Sequence, residues 1–422
     1  WHFVSSRLYK GNASIAFDKH REQLYIVAED SVYRISLVGD TTKTESFPSK
    51  NYHLFSGNRS LYNSVDGKLY NYYTDIRSVA AYSFESGDWD KKYADVAHTN
   101  FSQANRVFVP EENALYIFGG YGMMKYKNLV QRYSFDNKRW DSLQVRGDFF
   151  TPRYLAASAR MGGYIYILGG YGSRSGDQML SPGYIYDLMR YDISSRIFKK
   201  MYTLNKPDSS IVFGSSMVID SVHRCYYAFC FSNERSDSKL RLIKGFLDKP
   251  GYEMLAGSIP YRFHDILSGA HLFYSPLSGK LLAVTLMAAV DKDVRVNIYS
   301  ILFPPDALVT TVRHEATAFP LNYRLLTGVF LLLAAGAVII FLYRKKRLAP
   351  AGTQTPKEPY AERQSTSLVP APVYAGEYMM EELPEKKEQQ AIHLFGVFEI
   401  LDKNGADLSK NLSPLLKELF LM

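Results

Sequence analysis

A short apolar segment returns six times within the first 300 residues of this 422-residue chain. It reads LYIVAE at Leu24, LYNYYT at Leu69, LYIFGG at Leu115, IYILGG at Ile165, YYAFCF at Tyr226 and LLAVTL at Leu281. The steps are 45, 46, 50, 61 and 55 residues. A repeat of that length constrains the fold more than any composition does. One unit is too small to bury both its faces and must stack on its neighbours. A second signature follows three of the segments: AYSFESGDW with Tyr82 and Trp89, RYSFDNKRW with Tyr133 and Trp140, RYDISSRIF with Tyr191 and Phe198. Each aromatic pair is seven residues apart. Strands are short, turns are frequent, and no amphipathic helix pattern intervenes, so the unit is about four strands. Radial stacking of such sheets buries both faces and protects their edges. Residues 1–303 are therefore predicted to form a six-bladed β-propeller. Composition agrees. Aromatic residues reach 14%, with 33 Tyr and 25 Phe, which suits pleated, half-buried surfaces. With 46% apolar and 22% charged residues, a mostly disordered, collagen-like or coiled-coil chain is excluded.

Two stretches carry a family resemblance. TPRYLAASARMGGYIYILGGYG at 151–172 and NALYIFGGYG at 113–122 resemble kelch repeats. The paired glycines Gly119, Gly120, Gly169 and Gly170 imply close backbone approach at a strand end. The rings seven apart are expected to pack between neighbouring blades. The last repeat offers three strands, HLFYSP, KLLAVTLMA and VRVNIYSIL. WHFV at Trp1–Val4 matches WDSL at Trp140–Leu143, so the N-terminal strand is expected to close the last blade. A seven-bladed ring is the alternative.

The loops after the second strand of each blade should emerge on one face, and loops on a rigid scaffold carry recognition. They cover 73–78, 121–128, 171–184, 231–239 and 288–294. Their ligand-face candidates are Arg77, Tyr121, Lys125, Tyr171, Arg174 and Arg235. Cys225 and Cys230, five apart on one strand, should point to opposite faces as buried thiols, the alternative being a bulge or loop that brings them together as a disulfide. His264 and His271 lack a short metal-ligand spacing, and no nucleophile elbow, P-loop or HExxH motif occurs. No metal, cofactor or catalytic residue is expected. A galactose-oxidase-like or carbohydrate-active propeller enzyme is the alternative function, and an adhesion module another.

Leu325–Tyr343 reads LLTGVFLLLAAGAVIIFLY, 19 uncharged residues. At 1.5 Å per residue it spans roughly 28 Å, the thickness of a bilayer core. Arg344, Lys345, Lys346 and Arg347 follow at once and supply four charges of the net +8. That basic stop places the C-terminal side in the cytoplasm. The expected layout is an extracytoplasmic propeller (1–303), a juxtamembrane segment (304–324), a transmembrane helix (325–343) and a cytoplasmic linker (344–390). Residues 348–390 hold six prolines without periodicity, which reads as a flexible tether.

Residues 391–422 regain pattern. IHLFGVFEIL is one strand or two around Gly396, Asn404-Gly405 is a hairpin signal, and Ser413-Pro414 opens a Leu-rich helix. This run resembles the start of bacterial winged-helix effector domains, without the helix that would enter a major groove. The resemblance implies a single-pass sensor and transcriptional regulator in the bacterial inner membrane. Its propeller would bind an extracytoplasmic ligand or protein, and DNA would be bound only through a continuation beyond Met422. A change in oligomeric state, such as homodimerisation, is the expected signal.

Overall fold

The computed structural model describes residues 1–305 apart from 38–41, 51, 92–98, 208 and 290–292, together with 391–393 and 399–401. The chain divides into two compact units, Trp1–Thr317 and Ala318–Met422. The described residues of the first unit are almost all strand, turn and loop, with two short 3-10 turns.

Four antiparallel four-stranded sheets lie in a propeller-like arrangement. One runs Ser14–Asp18, Gln23–Val27, Ser31–Ser36, Lys43–Pro48. The next runs Arg59–Asn63, Lys68–Tyr73, Ser78–Ser83, Asp88–Trp89, and a third Asn105–Val109, Ala114–Phe118, Val130–Ser134, Arg139–Leu143. The fourth orders Gly269–Ser275, Lys280–Ala288, Val294–Leu302 and, at its outer edge, His2–Tyr9. A larger sheet contains two meanders, Ala157–Thr203 and Val212–Pro260, joined by one parallel bridge between Ser158 and Ser216. First strands of neighbouring sheets touch one another, as in Ser14–Asp18 against Arg59–Asn63 and Val212–Asp220 against Gly269–Ser275.

The N-terminal strand closes the sheet that the last three strands leave open, as its sequence suggested. It runs further than the expected Trp1–Val4: Tyr9 still pairs with Val294, and a bulge intervenes between Phe3 and Ser5. Glu22 adds a second tie. Its buried carboxylate accepts the backbone N–H of Leu277 (2.6 Å) and Ser278 (2.9 Å) from across the first and last sheets.

The seven-residue aromatic spacing is hairpin arithmetic. Tyr82 lies opposite Trp89, Tyr133 opposite Trp140, and Tyr191 opposite Phe198. Cross-strand neighbours sit on one face, and each pair packs into a cluster shared with the preceding sheet. Tyr82 and Trp89 join Tyr25, Val27 and Val32; Tyr191 and Phe198 join Tyr116 and Phe118. The core is thus a set of layers between sheets. The paired glycines all take positive φ. A Cβ on Gly169 would fall 2.1 Å from the Phe213 ring, and one on Gly119 2.6 Å from the Arg153 carbonyl. Cys225 and Cys230 are buried on opposite faces of Cys225–Phe231, one in each flanking cluster.

In the second unit, Ala391–His393 pairs antiparallel with Glu399–Leu401, Ile392 opposite Ile400. That matches the reading of two short strands around Gly396. The apolar stretch 325–343, the basic run 344–347, the linker, Asn404-Gly405 and the helix from Ser413 lie outside the described residues. Among the described residues no helix is long and apolar enough to cross a membrane.

Candidate binding face

The two glycine-pair segments converge at one end of the sheets. After Gly119-Gly120 the chain forms a tight hairpin in which Tyr121 pairs with Tyr126 and Gly122 with Lys125. The hairpin turn is Met123-Met124, with φ of 52° and 58°. Both central residues at positive φ mark a turn that usually takes Asn-Gly. Non-glycine residues in the left-handed region cost roughly 1 kcal/mol or more each. Local sequence does not favour this geometry, so the surroundings impose it. Gln178 N–H donates to the Met124 carbonyl (3.0 Å) and Tyr126 N–H to that of Gly176 (2.7 Å), while Lys125 bridges Asp177. The hairpin is thereby held against the 173–182 loop.

The joined loops present apolar side chains to solvent. Met123 is 66% exposed, Met124 55%, Met179 72% and Leu180 59%. Phe149 is also exposed, and the Arg174 guanidinium lies over its ring, 5.5 Å from the centroid. Behind them sit five tyrosines. Ring centroids are 5.2 Å apart for Tyr121–Tyr126, 5.1 Å for Tyr121–Tyr154, 5.7 Å for Tyr126–Tyr154, 6.1 Å for Tyr126–Tyr171 and 5.0 Å for Tyr171–Tyr184. Tyr121 donates to the Gln178 side-chain carbonyl. The Tyr184 hydroxyl reaches the next loop, at Asn233 Oδ1 (2.9 Å) and Glu234 Oε1 (2.6 Å). Burial, reinforced by the Asp265 charge, raises Tyr121, Tyr126 and Tyr154 above the ordinary tyrosine range. They remain neutral hydroxyl donors at physiological pH. Asp265 is itself raised by burial, an effect opposed by His264.

Of the six candidates, Tyr121, Lys125, Tyr171 and Arg174 belong to this face. Tyr171 is not a loop residue: the strand Tyr164–Gly172 runs through it, and it pairs with both Tyr154 and Tyr184. Tyr121 and Lys125 lie in the hairpin, where the sequence reads as plain loop. Arg77 and Arg235 stand apart. Arg77 lies in the 74–77 turn and donates to Ser142 Oγ on an outer strand (3.3 Å). Arg235 turns back on exposed Asp237 at 3.2 Å. The sequence reading missed Tyr126, Tyr154 and Tyr184, although each lies inside or beside a glycine-pair segment. Exposure of the methionines carries no sequence signal.

Among the described residues no group of three or more His, Cys, Asp and Glu could hold a metal ion. His264 lies in the 261–268 loop and His271 on the strand Gly269–Ser275.

No family model matches the chain. It is similar to kelch domain-containing protein 10 of Xenopus tropicalis and of Xenopus laevis, 29% identical to each over 162 residues. The match covers 37% of this chain and 37% of each relative. That similarity agrees with the propeller-like arrangement of the sheets. The β region is a kelch-like propeller. Its Pro152-Arg153 step shows what the motif does here. The Arg153 guanidinium is fully buried, bonds both Asp187 oxygens, and donates to the carbonyls of Gly169 (3.0 Å) and Thr151 (2.9 Å). It anchors the segment leading to Tyr154 against the strands that carry Tyr171 and Tyr184.

Proposed function

We propose that the propeller is a binding module for a protein partner, engaged through the methionine–tyrosine face of its third and fourth blades. The observation that carries this is the turn at Met123-Met124, held at positive φ with both side chains in solvent beside exposed Met179 and Leu180. An exposed apolar group of this kind is a cost to an isolated soluble surface. Met, Tyr and Arg are the types enriched where proteins meet. The two meanders of the larger sheet count as two blades, giving a ring of six, with His2–Tyr9 as the closing strand.

Around this module the sequence supports a single-pass membrane receptor. Residues 325–343 would cross the inner membrane, with the propeller outside and Arg344–Arg347 inside. The 391–422 segment would begin a winged-helix effector that binds DNA through residues further on, and homodimerisation would carry the signal. Protease added to bacterial spheroplasts should reach the propeller and spare the C-terminal tail; the reverse pattern overturns this topology.

The binding reading is tested by photo-crosslinking in the native host, with a crosslinking amino acid at Lys125 or Arg174. We expect a discrete protein adduct that Met123→Ser, Met124→Ser and Met179→Ser together abolish without lowering the melting temperature. An adduct pattern unchanged by the triple substitution removes the face from the function.

A further inference from the structure

The first strands of neighbouring sheets touch one another, and three of these strands carry basic groups: Arg59 on Arg59–Asn63, Arg106 on Asn105–Val109 and His271 on Gly269–Ser275. Arg59 Nη1 donates to the backbone carbonyls of Ser56 (2.6 Å) and Asn58 (2.7 Å). Arg106 donates to those of Ala104 (2.8 Å) and Phe101 (3.4 Å), and its buried Nε has no partner. Neither guanidinium forms a salt bridge with any described carboxylate. Asp75, the acidic group whose field reaches Arg106, is occupied by the Asn100 backbone N–H. The His271 ring stacks on Phe273 and has no hydrogen-bond partner among the described residues.

Two half-buried guanidiniums whose charges repel, neither in an ion pair with a described carboxylate, are an unbalanced arrangement. Burial, and then the Arg106 charge, pull Arg59 down to about 9. Burial, then Arg59 and Arg106, pull His271 to about 3. Both arginines stay charged at neutral pH and His271 stays neutral, able to give or accept one hydrogen bond. A cavity of about 50 Å³ opens beside them, lined by Arg59, His271, Gln103, Ser56, Ser215 and Ser268. At 10–15 Å³ per water centre it holds roughly three to five waters. That is room for a carboxylate or a tetrahedral oxyanion.

We propose that this cavity is a binding site for a small oxyanion, carboxylate or phosphate in type, held by Arg59 with His271 and the Ser56 and Ser215 hydroxyls around it, and favoured by the charge of Arg106, which lies outside the lining. Charge-assisted bonds from a guanidinium are the strong class for such groups. The site stands apart from the methionine–tyrosine face and does not depend on it.

The test is calorimetric titration of the full chain in detergent micelles with sodium phosphate and, separately, sodium acetate, at ionic strength held constant with sodium chloride. We expect saturable binding of at least one anion. Phosphate alone would mean a tetrahedral ligand, acetate alone a carboxylate. Arg59→Gln, in the lining, should weaken it roughly tenfold or more, and Arg106→Gln, which removes a neighbouring charge only, should weaken it less. Arg235→Gln, outside the cavity, should leave it unchanged. In buffer free of both anions, the Arg59 and Arg106 variants should melt no lower than the parent, because each removes an uncompensated charge. No saturable binding of either anion to the parent chain would overturn the proposal. So would binding unaltered in both of these variants, or a pair that melts lower while binding normally, which would make the arginines ties for backbone carbonyls.

Discussion

Replacing Arg153 with Met is the most informative single perturbation of this propeller. The guanidinium makes four hydrogen bonds inside the protein: Nη1 to Asp187 Oδ1 (2.5 Å) and to the Gly169 carbonyl (3.0 Å), Nη2 to Asp187 Oδ2 (3.0 Å), and Nε to the Thr151 carbonyl (2.9 Å). It also lies over the Phe150 ring, 4.8 Å from the centroid. Met occupies a similar volume, so little cavity opens. What remains is a buried Asp187 carboxylate without its partner and two carbonyls without donors. Breaking a buried pair from one side costs about 3–5 kcal/mol. The carbonyls belong to the same network and add little beyond that. Arg153→Met with Asp187→Leu removes the charge as well, leaving only the carbonyls, at about 1 kcal/mol each. The double variant should therefore be more stable than the single one by roughly 1–3 kcal/mol, by difference. Urea unfolding followed by tryptophan fluorescence reads this directly, because all three Trp, at positions 1, 89 and 140, lie in the propeller. A loss under about 1 kcal/mol for Arg153→Met, or a double variant no better than the single, would refute the reasoning.

Deleting Trp1–Tyr9 strips the outer strand from Val294–Leu302 and exposes its edge; we expect a lower melting temperature and aggregation, and an unchanged melt would show that the ring closes without it. Gly169→Ala forces a Cβ to within 2.1 Å of the Phe213 ring at a φ of +62°; a loss of about 2–4 kcal/mol in urea unfolding is expected, and a neutral effect would count against the close approach. Burial pushes Tyr9, Tyr25, Tyr82 and Tyr191 up to about 12 from an ordinary 10.0. The unfolded chain therefore binds fewer protons than the folded one between pH 10 and 12, and stability should fall as pH rises through that window. Absorbance titration near 295 nm with urea midpoints on either side of pH 10 checks this; ordinary tyrosine titration with no stability loss contradicts it.

Repeat spacing was readable because hairpins have fixed arithmetic. A residue and the one seven further on meet across a short turn, so Tyr82 with Trp89 and Tyr133 with Trp140 announce paired strands before any coordinates exist. Alternation likewise placed Cys225 and Cys230 in different clusters. The binding face was only partly readable. Tyr121 and Tyr171 stood out as aromatics beside glycine pairs. Arg77 and Arg235 looked equivalent to Arg174, since loop composition does not say which cations already have partners. Arg235 is taken by Asp237 and Arg77 by Ser142.

Local sequence by itself determined the repeated strands, the hairpin pairing marked by the aromatic spacing, the glycine positions and the closing role of the N-terminal strand. All of these depend on contacts within about one repeat, or on an edge that must find a partner. Tertiary structure alone decided what meets between repeats. The Met123-Met124 turn is held in a left-handed conformation by bonds to a loop some fifty residues away. Arg59, Arg106 and His271, scattered over more than 200 residues, feel one another's charge because each occupies a first strand. Convergence of that kind has no local signature: side chains from separate repeats become neighbours only when the ring forms, and no propensity or spacing within one repeat encodes their meeting.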